Sequence, residues 1–273
     1  MPSSPNPPFG LVEFTPSQLE KMEAGSGGVW RIPPSFDGHQ RNPLPRFTVL
    51  LEREQQDIYD FFHRWAVSML PALHPGAHIL IASNVLLTHI VDNALANAGL
   101  EKRATLVRLV QTLRGGDRPK LADKEFPEVG VMPRTGWEPR SVFRKPLLPG
   151  ERVSASLRLR GTGALRRPAV DMPFGDIIPS VRTSKRERAI APHPSLKPQQ
   201  FMRAIVRAAL PLGTGIILDP FAGGGSTLAA AESLGYHAIG TEANAKFAQV
   251  AAAAIPQLAA LQVTPARGSE EPA

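Results

Sequence analysis

Residues 216–242 read IILDPFAGGGSTLAAAESLGYHAIGTE, and the fold turns on how this stretch is parsed. An apolar strand over 216–218 runs into Asp219-Pro220-Phe221, then into a glycine turn at Gly223, Gly224 and Gly225. Ser226 and Thr227 open an alanine-rich helix over 227–234, and a second strand follows at 237–240. Glycines at a strand-to-helix turn let the backbone approach a ligand closely, because no Cβ intervenes. The helix start behind them offers free N–H groups to an anionic group. Glu242 lies about 20 residues downstream, where an acidic side chain accepts hydrogen bonds from ribose hydroxyls. The stretch therefore reads as a site for a nucleoside-bearing cofactor. It contains no GxGxxG, and it has no lysine where a P-loop requires one.

Working outward, a helix is predicted over 245–254, so the C-terminal part alternates strand and helix in the grammar of a doubly wound α/β sheet. Upstream, His193-Pro194-Ser195-Leu196-Lys197-Pro198 opens a helical segment over 193–210 that leads directly into the strand at Ile216. Residues 105–113 read as a strand. Residues 77–83 (AHILIAS), after a Pro-Gly break, read as a buried parallel strand. Helices are predicted over 51–73 and 86–97, the latter closed by Gly99. Residues 1–47 are broken by proline pairs and a glycine cluster, and they read as loop with at most a short helix. Between 114 and 189 arginine, lysine, proline and glycine dominate and no regular period survives.

Hydrophobic residues make up 42% of the 273, enough for a globular core. The chain has no cysteine, which excludes disulfides, thiolate catalysis and cysteine-ligated zinc, and it fits a cytoplasmic setting. The net charge of +7 favours a polyanionic partner. No signal peptide or membrane span is legible. The seven histidines form no HExxH, so no metal is expected, and GxSxG is absent.

DPFAGGGST resembles the DPFxGxGT signature of S-adenosylmethionine-dependent DNA amino-methyltransferases. HPSLKP resembles the HPTxKP element of the same family. Near the start, Asn6-Pro7-Pro8-Phe9 resembles the family's [DNS]PP[YFW] tetrapeptide. RGGDRPK at 114–120 and VMPRTGWEPRSVFRKP at 131–146 add to the likeness. Base motif first, basic region next and cofactor motifs last is the circularly permuted, β-class order. The resemblance implies a Rossmann-like methyltransferase fold: a doubly wound, mostly parallel sheet, permuted. Because only residues 1–5 precede Asn6, it also implies that the N-terminal strands of that fold are lacking. The implied domains are 1–113 (target-base half), 114–190 (basic insertion for target recognition), 191–262 (cofactor half) and a disordered tail over 263–273.

Methylation of an exocyclic amino group needs two acceptors for its protons and an aromatic face for the extruded base. By resemblance Asn6 and the Pro7 carbonyl are the acceptors, Pro8 stiffens the loop and Phe9 stacks. His193, Ser195, Lys197, Asp219, Pro220, Phe221, Gly223, Gly225, Thr227 and Glu242 would hold S-adenosyl-L-methionine, with Ser195 and Lys197 on its methionine carboxylate. The implied partner is double-stranded DNA, with a homodimer and a cognate restriction endonuclease as further partners of such modification enzymes. The target is adenine N6 or cytosine N4; carbon-5 chemistry requires a cysteine nucleophile. Two rival readings stand beside this one: a catalytically inactive nucleic-acid-binding relative, and a methylase of RNA or of protein glutamine.

Overall fold

The computed structural model describes residues 29–30, 44–45, 52–83, 85, 87–110, 122, 124–130, 133 and 136–263. Asn6, Pro7, Pro8 and Phe9 lie outside the described residues, as do residues 114–120 and 264–273. By contacts the chain divides into two units, residues 1–73 with 89–100, and residues 74–88 with 101–273.

In the first unit, β1 (Val29–Trp30) pairs antiparallel with β2 (Leu44–Pro45). Helix α1 (Glu52–Met69) runs into a 3-10 turn at Leu70–Ala72, and α2 (Thr88–Asn97) follows. Ile58, Phe62 and Ala66 of α1 recur at helical spacing and are buried, as are Ile90, Val91, Ala94 and Leu95 of α2. Asn97 donates to the Tyr59 hydroxyl at 2.8 Å. Both helices fall where the apolar period placed them.

The second unit is built on a four-stranded sheet of β3 (His78–Ala82), β5 (Trp137–Arg144), β4 (Glu101–Leu109) and β6 (Ile177–Pro179), in that spatial order. β5 runs antiparallel to both β3 and β4, and only β4 and β6 are parallel. The sheet is mixed, not mostly parallel, and β3 is a half-buried end strand instead of a buried parallel one. The run HILIA records apolar surroundings but says nothing of the direction of its neighbour. β4 begins four residues before its predicted start, because Glu101 and Lys102 carry no strand signal while their backbones still pair with β5, with the register shifting between Lys102 and Ala104.

The region expected to lack regular elements holds the strand at the centre of the ladder, β5, together with α3 (Val153–Arg160) and α4 (Lys185–Ile190). In β5 every residue from Pro139 to Arg144 is buried, so charges at Arg140 and Arg144 disguise an interior strand as a polar segment. Arg144 is matched by Glu101, which accepts from its Nη2 at 2.6 Å and its Nε at 2.9 Å.

The C-terminal part follows the sequence closely. α5 (Gln199–Ala209), β7 (Ile216–Asp219), α6 (Ser226–Ser233), β8 (His237–Gly240) and α7 (Ala245–Ala259) alternate, with β7 and β8 parallel. α5 turns Phe201, Met202, Ile205 and Val206 inward against Ile217, Ala230 and Ala231, with Leu80 and Ile178 packed against the same cluster. Its outward Arg203 donates to the carbonyls of Leu258, Ala259 and Leu261, satisfying the end of α7 with a cation where the helix dipole favours one. A second cluster joins Leu196 and Ala191 to Ala229, Ala254 and Leu258. It places the HPSLKP segment beside α6.

Candidate functional site

β7 and β8 end level, with Asp219 opposite Gly240, and the Thr241 amide extends the pairing to the Asp219 carbonyl at 3.0 Å. Asp219 Oδ1 accepts from the Phe221 amide at 3.1 Å, which starts the turn. Gly223 and Gly225 hold positive φ of 53° and 79°. A Cβ on Gly224 would sit 2.8 Å from the Cβ of His193. The glycines thus serve two ends: a left-handed path, and close contact with the HPSLKP segment. No side chain caps the N-terminus of α6. Its first N–H groups point out of the helix and carry its positive dipole end.

Glu242 stands half-buried beyond β8. Its Oε2 accepts from the Gly223 amide at 2.8 Å and its Oε1 from the Asn244 amide at 2.9 Å. Each oxygen retains a second acceptor direction, so the carboxylate can still receive hydroxyl donors. His193 packs edge-on against Phe247 with ring centroids 4.4 Å apart. The Lys197 amide donates to Ser226 Oγ at 3.1 Å, and Gln199 Nε2 donates to the Ser226 carbonyl at 3.0 Å. Two motifs separated in sequence are thereby fastened to one another at the head of α6. Ser195 and Phe221 are exposed, Thr227 and Pro220 half-buried.

An electrostatic chain that the motifs did not announce runs beneath this turn. Glu138 Oε2 accepts from Arg108 Nη1 at 2.8 Å and lies 3.4 Å from Lys197 Nζ. Burial alone would push the Glu138 carboxyl up; the charges of Lys197 and Arg108 and their hydrogen bonds hold it below the ordinary carboxylate range. Burial pushes the Lys197 ammonium down, Glu138 opposes this, and Arg140 and Arg108 add to it. Arg108 is fully used: its Nε donates to Ser180 Oγ and its Nη2 to the Val181 carbonyl. Arg140 is not. Its Nη2 faces the Met202 sulfur at 4.0 Å, its Nε has no partner, and its guanidinium stacks 4.9 Å from the Phe201 ring centre. Burial pushes it down to about 10, opposed by Glu138 and, with a smaller effect, by Asp219. Nothing in the basic stretch of residues 114–189 marks Arg140 as an interior residue. The sequence signal for this strand is the Val142-Phe143 pair, an apolar centre too short to stand out.

A groove of about 660 Å³ opens alongside, lined by Leu109, Val110, Gly136 and residues 179–182. It abuts the same chain of charges, because Ser180 and Val181 both accept from Arg108. The exposed Arg182 lines it, and Lys185, Arg186 and Arg188 of α4 are exposed as well. No group of metal-ligating side chains occurs among the described residues.

The turn, the acid beyond the second strand and the open helix start make an α/β protein with a candidate nucleoside-cofactor site. Comparison with known proteins narrows the class. The family model described as DNA methylase (N6_N4_Mtase) matches residues 116–253, half of the chain, and the chain belongs to that family. Among solved structures, the cytosine-N4-specific PvuII DNA methyltransferase is similar over 80% of this chain and 77% of its own, with a TM-score of 0.52 at 13% identity. That likeness shows a shared Rossmann-like fold. The M1.HpyAVI–SAM complex covers 69% of this chain and 79% of its own, with a TM-score of 0.48 at 16% identity. A DNA modification methylase of Thermus thermophilus, complexed with S-adenosyl-L-methionine, covers 79% and 84%, with a TM-score of 0.49 at 17% identity. No curated protein matches the chain by sequence. Among the described residues no helix is long and apolar enough to cross a membrane.

Proposed function

We propose that the chain is an S-adenosylmethionine-dependent DNA methyltransferase acting on the exocyclic amino group of adenine N6 or cytosine N4. The observation that carries this reading is the junction of the glycine turn with the HPSLKP segment at the head of α6, closed by the Gly223–Glu242 hydrogen bond. The residues fit the cofactor. Glu242 presents acceptors for ribose hydroxyls, Asp219 an acceptor for an ammonium, and the uncapped helix start with Lys197 donors for a carboxylate. When bound, the cofactor supplies an electrophilic methyl group.

The chain's own part is to position and to exclude. Asn6 and the Pro7 carbonyl accept hydrogen bonds from the two N–H groups of the target amino group, and Phe9 holds the base. The groove beside Arg108 is large enough for a nucleobase and offers an apolar wall in Leu109, Val110 and Val181. Exposed cations on and around α4 contact phosphates, which sets affinity without reading sequence. The permuted order of motifs, with residues 114–190 serving target recognition, belongs to this proposal, as does a role in a restriction–modification pair. Calorimetric titration of the chain with S-adenosylmethionine tests it. Saturable binding, lost in Asp219→Ala, supports the reading; a folded chain that binds none refutes it.

A further inference from the structure

Trp137, Leu109 and Pro179 stand in one row across β5, β4 and β6, because Leu109 is the register partner of both others. Register partners share a face of the sheet, and across an antiparallel pair their Cβ atoms are about 5 Å apart. All three are exposed, Trp137 at 39% and Leu109 at 43%. Leu109 and Pro179 line the groove with Gly136 and Arg182, so Trp137 stands beside its mouth. Among the described residues no aromatic ring stacks on that indole. The row is free of acids. Glu138 lies on the opposite face, bound to Arg108 and beside Lys197, and Glu101 pairs with Arg144 at the other end of β4. Cations follow it in the chain: Arg182, then exposed Lys185, Arg186 and Arg188 in α4.

An exposed apolar row followed by cations calls for an occupant of matching charge. A second copy of this chain does not provide it. A two-fold contact sets each patch against itself, so Arg182 would meet its own like charge. DNA does provide it, with phosphates for the cations and aromatic ring faces for the indole. In an intact duplex those faces are hidden in the stack. They open only where a base leaves it, as methylation of an exocyclic amino group requires. Resting on the proposed DNA-methyltransferase reading, we infer that Trp137 stacks on a base that extrusion of the target leaves exposed, at the mouth of the groove. Leu109 and Pro179 continue the apolar surface beside it. The assignment gives a part in opening the duplex to a residue that the resemblance left without one.

The test titrates the full chain, by fluorescence anisotropy, with a labelled single-stranded DNA and with an abasic strand of equal length, which keeps the phosphates. Trp137→Ala should lose at least about fivefold in affinity for the base-bearing strand and nothing for the abasic one. Trp137→Leu keeps apolar bulk without a flat ring and should lose as much, while Trp137→Phe should recover most of it. Arg182→Ala should weaken both strands alike and flatten the salt dependence. A Trp137→Leu chain that binds the base-bearing strand as wild type does, or a loss equal on the two strands, overturns the assignment and leaves the methyltransferase reading standing. So does a wild-type dimer, seen by sedimentation, that Trp137→Ala dissociates. A wild-type chain that binds S-adenosylmethionine but neither strand overturns the assignment together with DNA as the substrate. Thermal unfolding separates a structural role: an exposed indole predicts that Trp137→Leu melts close to wild type, and a much lower midpoint also overturns the assignment.

Discussion

The amide of Gly223 donates to the Glu242 carboxylate at 2.8 Å, joining positions 19 apart in sequence. This bond ties the cofactor turn to the end of β8, and the second Glu242 oxygen anchors the start of α7 through Asn244. The turn is therefore held in shape before any ligand arrives. Glu242→Ala removes both ties and the acceptor proposed for the ribose. Loss of a charge-assisted bond costs about 1–3 kcal/mol. We expect cofactor affinity to fall at least about tenfold, with a lower melting midpoint, measured by calorimetry and thermal unfolding. Glu242→Gln keeps one acceptor and should fall between the two.

Gly224→Ala tests the packing of the turn against the HPSLKP segment. The added methyl would meet the His193 Cβ at 2.8 Å, a backbone-near atom that cannot swing away. Overpacking of this kind costs about 1–3 kcal/mol. A denaturant titration should show that loss; an unchanged midpoint would mean the two segments are not in contact.

Glu101→Gln should destabilise the fold by about 1–3 kcal/mol, because it leaves the buried Arg144 without its counter-charge. The double change Glu101→Gln with Arg144→Met should recover much of that loss. Thermal or urea unfolding of the four chains forms the mutant cycle.

His78 sets a pH response. Burial pushes its imidazole down to about 4, with the charges of Arg144 and Arg103 adding to the effect. The folded value lies below the ordinary 6.5, so the unfolded chain takes up a proton that the folded chain refuses. Stability should fall as pH drops from about 6.5 toward about 4, and flatten below. Melting midpoints recorded across that window should show the slope in wild type and a weaker one in His78→Gln.

Much of the C-terminal half was legible in the sequence because each element carries its own punctuation. Glycines mark the turn after β7, Gly235 closes α6, and Asn244 caps α7 by accepting from the amides of Lys246 and Phe247. The strand β8 falls at the predicted residues. The middle resisted reading because an interior strand written WEPRSVFR places two arginines in the protein interior, and each is tolerated for a reason far away in sequence. Arg144 meets Glu101, and Arg140 lies over Phe201. Strand direction was equally hidden, since an apolar run such as that of β3 suits either sense of pairing. The union of His193 and Lys197 with the glycine turn needed the resemblance to be suspected and the structure to be seen. Asn6, Pro7, Pro8 and Phe9 remain assigned by resemblance.

Transfer of a radiolabelled methyl group from S-adenosylmethionine by the full chain, offered duplex DNA, RNA and protein in parallel, bears most directly on the central claim. The account predicts label in DNA alone, recovered after digestion as N6-methyladenine or N4-methylcytosine and lost in Asn6→Ala. A folded, cofactor-binding chain that labels RNA or protein, that labels cytosine at carbon 5, or that leaves DNA unlabelled would contradict it.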